Sequence, residues 1–518
     1  MTRSRRVWTS ARAAGNRARE SAGTRAVRVT GIEPRTIALS LSFINNDSSS
    51  ERLKKWLTTE AARLGPGQRL PSTRWLIQTH RMSPLTVSRA LADLGREGVV
   101  VSRPGTGTFV AQPRAGRPGS SGDYSWQTVA LAERAIDAEG LSPLADPPHA
   151  DGVISLGTGY LHSSLMPLAA LRSALARAAR LPDTWERPPA AGLHALRSWF
   201  AQQAGSGAEA QDVLITSGGQ GALSAAFRAL VPSGAPLLVE SPTYPGALAA
   251  ARAAGIRPVP VPTDRDGVIP EHLAEAFART GAQALFCQPA YHNPTGAVLV
   301  TDRRPAVLGA AAAAGAFVIE DDFARWLSHN QRPPAPLLAN DDDGRVVYLT
   351  SLSKVVSPSL RVGAVIARGP VAQRLHALRA VDDMFVSRPL QEAAVELVSR
   401  PIWDRHLRDL SRALNRRAAI LFHAVGRHLP AADAVLPAGG MHLWVRLPRN
   451  LDDGEVAAAA RRGGVIVMAG RPFYPAEAPE PHLRLAFCGA ATEAELDTAV
   501  RRLAASAPEL AHPASVRP

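Results

Sequence analysis

The apolar positions between residues 48 and 111 follow two different periods. In SSSERLKKWLTTEAARL they recur on one face of a helix, after serines that suit an N-cap. Pro71 and Ser72 open a second helix after a turn. Ser83 and Pro84 open a third, since a proline at the first helical position loses no hydrogen bond. The stretch VVVSRPGTGTFVA then alternates around a glycine-rich turn. The pattern predicts three helices followed by a two-stranded hairpin.

From about residue 150 onward, short apolar runs alternate with helical stretches rich in Ala, Leu and Arg. The runs are DVLITS, PLLVESP, ALFCQP, AFVIEDD and VVYLTS. Strands that alternate with helices in this way are typical of βα units. The pattern therefore predicts an α/β architecture with a mostly parallel sheet.

The same pattern divides the chain into four segments. Residues 1–40 lack apolar periodicity and are predicted to form a disordered basic arm. Residues 41–112 form the small helical unit, and residues 113–149 form a linker that begins within the Pro, Gly, Ser and Arg of AQPRAGRPGSSGD. One helix, WQTVALAERAIDA, is expected within that linker. Residues 150–512 form the large α/β unit.

The composition is that of a globular protein, since 46% of the 518 residues are apolar and 20% are charged, which excludes wholesale disorder. Cys287 and Cys488 lie far apart, so we expect neither a disulfide framework nor a metal site, and a reducing compartment suits them. The longest apolar stretch, residues 306–319, is too short to span a bilayer. No secretory signal is visible at the start. We therefore expect a cytoplasmic protein without a membrane partner.

The net charge of +14 is unevenly spread. Residues 1–36 carry nine arginines against Glu20 and Glu33, a surplus of seven that is half of the total. Such an arm can attract phosphates without sequence preference. A passive solvated tail, or a start site placed too far upstream, explains the same composition, and both alternatives stay open.

Three sequences in the small unit, GPGQRLPSTR, TVSRAL and RPGTGTFV, resemble the winged-helix domain of the GntR family of bacterial regulators. Such a domain places its third helix in the major groove of double-stranded DNA and its hairpin against the backbone or minor groove. The predicted DNA contacts come from Arg74, Thr86 and Arg89, and from the hairpin residues Arg103, Gly105 and Gly107. For any single arginine, a solvated surface charge is the alternative. Where the family often has Arg at the start of the recognition helix this chain has Pro84, so the operator sequence cannot be carried over.

The large unit carries, in order, the groups that an aldehyde cofactor with a phosphate and a pyridine ring requires. Such a cofactor needs a lysine for a Schiff base, a carboxylate for the pyridine nitrogen, a glycine-rich helix start for the phosphate and an arginine for an amino-acid carboxylate. The candidate motifs are SGGQGAL (217–223), VESPTYPG (239–246), QPAYHNPTG (288–296), AFVIEDDF (316–323), SLSK (351–354) with an arginine seven residues on, and HLRLAF (482–487). Each motif alone is a weak signal, and their order along the chain is a stronger one.

In this order the motifs resemble a fold-type-I pyridoxal-phosphate aminotransferase over most of the large unit. The resemblance implies that Lys354 forms the Schiff base, that Asp321 pairs with the pyridine nitrogen and that Arg484 binds the α-carboxylate of an amino acid. It also implies that Asn293 bonds the phenolic oxygen and that Tyr244 stacks on the ring. The residues implied for the phosphate are Gly218, Gly219, Gln220, Ser351 and Arg361.

Two positions near the predicted cofactor site depart from the aminotransferase pattern. Relatives usually carry Tyr two residues after the pyridine aspartate, and here Phe323 lacks that hydroxyl and its hydrogen bond to the phenolic oxygen. Relatives also carry a Tyr that reaches the phosphate from the partner subunit, and here Arg187 takes its place, either as a cation for the phosphate or as a solvated residue. Asp322 is the alternative to Asp321. These departures put turnover in doubt more than cofactor binding.

A GntR-type winged helix joined to an aminotransferase-like domain is the architecture of the MocR subfamily of regulators, which this chain resembles. The implied fold is a winged helix-turn-helix of α+β type, a linker and a fold-type-I α/β domain with a smaller C-terminal α/β subdomain. The implied function is that of a homodimeric transcriptional regulator that binds operator DNA and senses pyridoxal phosphate or an amino compound. An active aminotransferase with a fused DNA-binding module is the alternative. A third interpretation makes the large domain an inert dimerisation scaffold without cofactor.

Overall fold

The computed structural model describes residues 49–103, 105–112, 124–131, 152–205, 207–329 and 333–511. The chain divides into a smaller unit, Met1–Val129, and a larger unit, Ala130–Pro518. The predicted basic arm (1–40) and most of the predicted linker (113–149) lie outside the described residues. In the part of the chain that the structure describes, no helix is long and apolar enough to cross a membrane.

Three helices and a hairpin build the smaller unit, as the sequence pattern predicts. The elements are α1 (Ser49–Leu64), α2 (Thr73–His80), α3 (Pro84–Arg96), β1 (Val100–Arg103) and β2 (Gly107–Val110). The Ser72 hydroxyl caps α2 by accepting from Trp75 N at 3.2 Å, and the Ser83 hydroxyl caps α3 by accepting from Thr86 N at 3.1 Å. Such caps satisfy amide groups that the first turn of a helix leaves free. The strands β1 and β2 pair antiparallel.

One apolar cluster holds the smaller unit together. Leu57, Leu76, Val87 and Leu94 come from all three helices and are completely buried. Burying each such side chain contributes about 1.5–3 kcal/mol relative to leaving it in water. Helix α3 thus presents one face to this core and the opposite face, with Arg89, to solvent.

A short helix, α4 (Ser125–Ala130), lies at the boundary between the two units. None of its residues is buried, and Trp126 and Val129 are exposed. It covers the start of the predicted helix WQTVALAERAIDA, whose residues from 132 onward lie outside the described part of the chain.

A short strand, β3 (Ile154–Ser155), begins the described part of the larger unit, and eight further strands form its main sheet. They are β4 (Val213–Thr216), β5 (Pro236–Ser241), β6 (Arg257–Asp264), β7 (Gly267–Val268), β8 (Ala284–Cys287), β9 (Phe317–Asp321), β10 (Val346–Ser351) and β11 (Gly363–Ile366). Their order across the sheet is β4, β11, β10, β9, β8, β5, β6, β7. The central pairs from β10 to β6 are parallel, whereas β11 and β7 pair antiparallel with their neighbours. The sheet is therefore mixed, with a parallel centre.

Helices cover both faces of this sheet. The helices of this part of the chain are α5 (Leu168–Ala178), α6 (His194–Ala204), α7 (Gly219–Leu230), α8 (Pro245–Ala253), α9 (Pro270–Thr280), α10 (Arg304–Ala313), α11 (Pro370–Asp382), α12 (Arg388–Val398) and α13 (Pro401–His428), of which α6 to α11 contact strands of the sheet. Single 3-10 turns lie at Ser163–Leu165, Ala210–Asp212, Thr301–Arg303, Leu337–Asn340, Arg471–Phe473 and Pro508–Leu510. Successive strand residues point to opposite faces, so Leu237 joins one apolar cluster and Leu238 the other. Because both faces are covered, β4, β8, β10 and β11 are buried along their whole length.

The last described part of the larger unit is a smaller α/β subdomain. Its elements are β12 (Asp433–Ala434), β13 (His442–Arg446), α14 (Asp453–Arg462), β14 (Val465–Ile466), β15 (Met468–Ala469), β16 (His482–Ala486) and α15 (Glu493–Ser506). Four strands form a sheet in the order β12, β13, β16, β15, and β14 pairs in parallel with β3. Ala486 N donates to Leu156 O at 2.6 Å, so the residues that follow β3 run beside β16.

Candidate functional site

A cavity with about 740 Å³ of empty space, part of it open to solvent, lies at the carboxyl ends of the central strands, where ligands bind in open α/β sheets. The predicted cofactor residues that line it are Gly219, Gln220, Tyr244, Asn293, Asp321, Ser351, Lys354 and Arg361. Arg484, predicted to bind a carboxylate, lines it as well. The fold thus brings together side chains from segments that are far apart in the sequence.

The glycine-rich turn before α7 leaves room for an arginine. Gly218 has φ +82°, and a Cβ atom at this position would lie 2.9 Å from Cζ of Arg361. Arg361 donates to Ser217 O at 2.6 Å, so its guanidinium lies against the start of α7. The first turn of a helix carries free N–H groups and a positive partial charge. This corner of the cavity is therefore suited to an anion.

Lys354 follows β10 and is partly buried in the cavity wall. Its Nζ donates to Gly159 O at 2.9 Å and lies 3.8 Å from the centre of the Tyr160 ring. Burial, and next the positive charge of Arg484, lower the pKa of Lys354 to about 8. The amine is thus held in place while part of it is uncharged near neutral pH.

Lysine is rare in this chain, which carries its positive charge on arginine. The full sequence contains three lysines: Lys54, Lys55 and Lys354. Lys354 is therefore the one lysine of the larger unit. This compositional signal was available in the sequence and singles out the same residue as the motif does.

Asp321 ends β9 and points into the cavity, held by a neighbour that the motifs did not single out. It accepts from Gln288 Nε2 at 2.7 Å, and Gln288 Oε1 in turn accepts from Asn293 N at 3.2 Å. Burial raises the pKa of Asp321 to about 6, against the lowering effect of the Gln288 hydrogen bond. The alternative, Asp322, accepts from the Tyr348 hydroxyl at 2.9 Å and is not part of the cavity lining. The geometry therefore favours Asp321 over Asp322 for a ring nitrogen.

Arg484 lies on β16 and is 1% exposed. Its guanidinium donates to Gly157 O at 2.7 Å and to Asn293 Oδ1 at 3.2 Å, and its Nε has no partner among the described residues. Burial lowers the pKa of Arg484 to about 10. A buried guanidinium whose acceptors are uncharged is suited to an incoming carboxylate.

Tyr244 reaches the cavity because the next turn has no side chain in its way. A Cβ atom at Gly246 would lie 2.3 Å from Cζ of Tyr244. The Tyr244 hydroxyl donates to Gln220 Oε1 at 3.2 Å, and Gln220 Nε2 donates to Gly246 O at 3.0 Å. Burial raises the pKa of Tyr244 above its ordinary value. Gln220 thus positions the tyrosine, a contact that differs from its predicted bond to a phosphate.

The two departures from the aminotransferase pattern lie in different environments. Phe323 lines the cavity and offers it an apolar surface without a hydroxyl. Arg187 is exposed, with its guanidinium 6.0 Å from the centre of the Phe385 ring. Within this chain Arg187 is therefore not part of the cavity wall.

Sequence reasoning missed several residues of the wall: Gly159, Tyr160, Gln288, Ser353, Met441 and His442. Gln288 lies inside the motif QPAYHNPTG, and Ser353 lies inside SLSK, so both could have been read from motifs already found. Gly159 and Tyr160 come after β3 and belong to no chemical pattern. Their position depends on the pairing of β3 with β14.

In the smaller unit, a groove runs between α2, α3 and the hairpin. Among its lining residues are the predicted Arg74, Arg103, Gly105 and Gly107. Arg89 is exposed on α3, and the Thr86 hydroxyl lies 2.8 Å from that of Ser83 at the helix start. The predicted DNA contacts thus lie on two neighbouring parts of one surface.

Arg69 is a further cation of this groove that motif reasoning passed over. A Cβ atom at Gly107 would lie 2.8 Å from Nε of Arg69, so the glycine leaves space for the arginine. Gly105 and Gly107 both have positive φ, at 72° and 121°. These glycines give the hairpin its tight turn and keep its surface accessible.

Comparison with known proteins follows the same division. Residues 50–110 match the bacterial regulatory proteins of the gntR family, and residues 151–503 match aminotransferase class I and II. Because the second match covers more than half of the sequence, the chain belongs to the aminotransferase class I and II family and carries a GntR-family domain before it. This combination is that of a helix-turn-helix regulator of the MocR type, which confirms the sequence-based prediction.

Similar proteins carry the names of both regulators and enzymes. The uncharacterized HTH-type transcriptional regulator YdfD of Bacillus subtilis is 25% identical over 86% of this chain and 93% of its own length. The HTH-type transcriptional regulator TauR of Rhodobacter capsulatus is 28% identical over 85% of this chain and 93% of its own length. The 2-aminoadipate transaminase of Thermus thermophilus is 30% identical over 65% of this chain and 85% of its own length.

Among solved structures, LysN, the α-aminoadipate aminotransferase of Thermus thermophilus, is similar with a TM-score of 0.69 and 28% identity. The alignment covers 74% of this chain and 98% of LysN. LysN was crystallised with N-(5'-phosphopyridoxyl)-L-leucine, a compound of the cofactor with an amino acid.

Proposed function

We propose that this chain regulates transcription by binding duplex DNA through its smaller unit and pyridoxal 5'-phosphate, together with an amino compound, in its larger unit. The observation that carries the proposal is the cavity in which Lys354, Asp321 and Arg484 meet. An amine, a carboxylate and a guanidinium group are the charged groups that this cofactor and an amino acid require.

The corner of the cavity beside α7 fits a phosphate. A phosphate there would lie at the positive end of the helix and next to Arg361. The hydroxyl of Ser353 is buried and has no partner among the described residues, so a phosphate oxygen would satisfy it. The space left by Gly218, which a Cβ atom would fill, is used by the Arg361 guanidinium.

Other residues of the cavity wall fit a pyridine ring. Asp321 would face the ring nitrogen, and a protonated nitrogen there would stabilise the carboxylate form of this buried aspartate. Tyr244 would offer its aromatic face, and Asn293 its amide for the phenolic oxygen. Gln288 holds Asp321 in position from the side.

The chemistry that bound pyridoxal phosphate supplies is condensation of its aldehyde with an amine, with its ring as an electron sink. Lys354 would contribute the amine of the protein. Only an uncharged amine has a free lone pair, and burial provides it by holding the pKa of Lys354 at about 8. Arg484 would then bind the carboxylate of an amino acid, because a charged acceptor forms stronger hydrogen bonds than the carbonyl that it now contacts.

For the smaller unit, we propose that α3 enters the major groove and that the hairpin lies against the backbone. Arg74, Arg89 and Arg103 are exposed and can therefore reach phosphates or base edges. A homodimer would present two such units to paired half-sites, and we propose this assembly for that reason. We propose the cytoplasm as its location. The ligand can change DNA affinity only if it binds two states of the protein with different free energies.

An active aminotransferase is the second candidate, because the buried amine, carboxylate and guanidinium are also what transamination requires. Phe323 counts against it, since the hydroxyl that relatives place near the phenolic oxygen is missing. A coupled assay with a panel of amino acids and 2-oxo acids separates the candidates. Turnover at or above roughly 1 per second favours the enzyme.

The proposal is tested by measuring DNA affinity in three states of the same full chain. A duplex selected by the protein from a random pool is labelled, and its Kd is measured by fluorescence anisotropy at one fixed salt concentration. The states are cofactor-free protein, protein with pyridoxal phosphate, and protein with pyridoxal phosphate and an amino acid. We expect Kd to change by about 5- to 150-fold between at least two states, the usual range of allosteric coupling.

Lys354→Met serves as the matched variant, since it keeps the length of the side chain and removes the amine. It should bind DNA with one Kd in all three states. Equal Kd values for wild type in all states, with the cofactor visibly bound, would contradict the sensing role. Absence of any cofactor absorption would leave a DNA-binding protein on an inert scaffold.

A further inference from the structure

A buried histidine in the cavity wall has no role in the proposed function. His442 begins β13, is 5% exposed and lies opposite Ala486 of β16. Two residues further along the same pair, Trp444 lies opposite Arg484. Directly paired residues share a face of an antiparallel sheet, and every second residue of a strand returns to that face. His442 and Arg484 therefore project from the same face, and both line the cavity.

The ring of His442 lacks a hydrogen-bond partner that its burial calls for. Its Nε2 is buried and unpaired among the described residues. Buried polar atoms are nearly always paired, since an unpaired one destabilises the fold. A ligand atom in the cavity would supply the missing partner.

The protonation state of His442 limits what that partner can be. Burial first, and then the positive charges of Arg484 and Lys354, hold the pKa of His442 well below its ordinary value. The ring is therefore neutral, and a neutral imidazole offers one N–H donor and one acceptor nitrogen. The nearby Arg484 and Lys354 also attract negative charge, so a ligand oxygen is the acceptor that suits this N–H best.

The groups around His442 already have other roles. Arg484 would bind the α-carboxylate of an amino acid, and Asp321 would face the ring nitrogen of the cofactor. Met441 and Phe323 offer apolar surface. His442 is therefore available to bond a further polar atom of the ligand, and that atom would lie on the side chain of the amino acid.

We propose that His442 determines which amino compound the larger unit binds, by hydrogen bonding to an oxygen on the side chain of the bound amino acid. The ligand class is an α-amino acid with a hydroxyl, amide or carboxylate side chain, as opposed to an aliphatic one. This inference rests on the proposed function of the larger unit. A site built around a buried polar group rejects an analogue that leaves the group unpaired.

The test compares amino acids that differ only in the proposed oxygen. The protein loaded with pyridoxal phosphate is titrated with L-homoserine and with L-norvaline, in which a methyl group replaces the hydroxyl. L-glutamine and L-glutamate are titrated against L-norleucine to distinguish a neutral from a charged oxygen. The Kd of each is read from the change in visible absorption, and loading is measured for every variant. We expect at least one oxygen-bearing member to bind about tenfold more tightly than its aliphatic partner, the discrimination typical of one hydrogen bond.

Three variants assign the preference to the side chain. His442→Phe should remove the preference, and His442→Gln, which keeps a donor, should restore part of it. His423→Phe, a matched change at an exposed position of α13, should leave it as in the wild type. Equal binding of every pair by wild type, or an unchanged preference in His442→Phe, overturns the inference while leaving the sensing function intact. If no amino acid changes the absorption, the sensing function fails and this inference with it.

A second readout needs no cofactor. Because the unpaired nitrogen destabilises the cofactor-free protein, His442→Phe should unfold at a temperature equal to or higher than that of wild type, by about 1–3 °C. A histidine with a structural role would give the opposite result, a clear fall in Tm. Such a fall would overturn the inference.

Discussion

The two units place their functional side chains in opposite environments. The arginines on the groove and helix of the smaller unit are exposed to solvent. In the larger unit, Asp321 and Arg484 are buried and Lys354 is partly buried, and desolvation is the main cause of the altered pKa of each. A surface for a polyanion works by attraction through water, so its residues act nearly independently. A buried site works by desolvation, so its residues depend on one another.

The largest expected effect is that of removing the Lys354 amine, which tests directly whether the larger unit acts through a desolvated site. Lys354→Met should abolish the pyridoxyl group that borohydride fixes to the larger unit, as seen by mass spectrometry of peptides. Cofactor-free Lys354→Met should also have a higher Tm than wild type, because a buried charge is removed. Because the pKa of Lys354 is lowered in the folded wild-type protein, unfolding of the wild type takes up a proton between about pH 8 and 10.4. The gain in Tm that Lys354→Met gives should therefore be larger at pH 7 than at pH 10.

Lys55→Met, at an exposed position of α1, serves as the control and should change neither measurement. A Lys354→Met protein that still retained borohydride-fixed cofactor on the larger unit would show that another residue carries it. A lower Tm for Lys354→Met would show that this lysine stabilises the fold instead of being strained by burial.

The next effect tests independence on the surface. Arg74→Ala and Arg89→Ala should each weaken binding to the selected duplex about fivefold to tenfold, and the double variant should show roughly the product of the two factors. Each should also flatten the dependence of log Kd on log salt, by about one if the arginine contacts a phosphate. Arg408→Ala, exposed on α13, is the control. A double variant no weaker than either single one would argue that the surface, too, works as a coupled group.

The third effect concerns the rate of cofactor loading. The rate should rise about tenfold between pH 7 and pH 9, with a midpoint near 8, because the reactive uncharged form of Lys354 grows as pH passes its lowered pKa. The growth of absorption is followed by stopped flow, and Nα-acetyl-lysine is the reference for the titration of the cofactor itself. Arg484→Met removes a nearby cation and should move the midpoint upward. A midpoint equal to that of the free amine would contradict the role of burial.

The smallest effect tests coupling in the buried site. Gln288→Leu removes the hydrogen bond to Asp321 and should raise the pKa of that carboxyl, so cofactor affinity should fall about fivefold. Once Asp321→Asn is present, the same change should have little further effect, since the two residues act as one group. Gln211→Leu, at an exposed position, is the control. Additive losses would place the buried residues in the same class as the surface arginines.

The sequence predicts the smaller unit well because its signals are local. Ser83, Pro84 and Thr86 define the start of α3 within four residues, and each contact of the cap lies inside that stretch. The glycines of the hairpin are next to the strands that they join. No distant contact is needed to place these residues, so periodicity and cap chemistry suffice.

The larger unit contains functional residues that the sequence does not predict. Motifs identify Asp321 and Lys354, but the function of Gln288 depends on β8 lying beside β9, which no single motif contains. His442 and Tyr160 reach the cavity only through the pairing of β13 with β16 and of β3 with β14. Their residue types carry no spacing signal, because strand pairing joins segments that are far apart in the sequence.

The scarcity of lysine has a chemical consequence for an aldehyde reagent inside a cell. Guanidinium groups remain protonated at any ordinary pH and compete poorly for carbonyl compounds. A chain that takes nearly all of its positive charge from arginine keeps its attraction for phosphates, yet in the larger unit it offers a carbonyl only one side-chain amine. A carbonyl compound can therefore form a Schiff base with only one side chain of the larger unit, and one trapped cofactor corresponds to one chain.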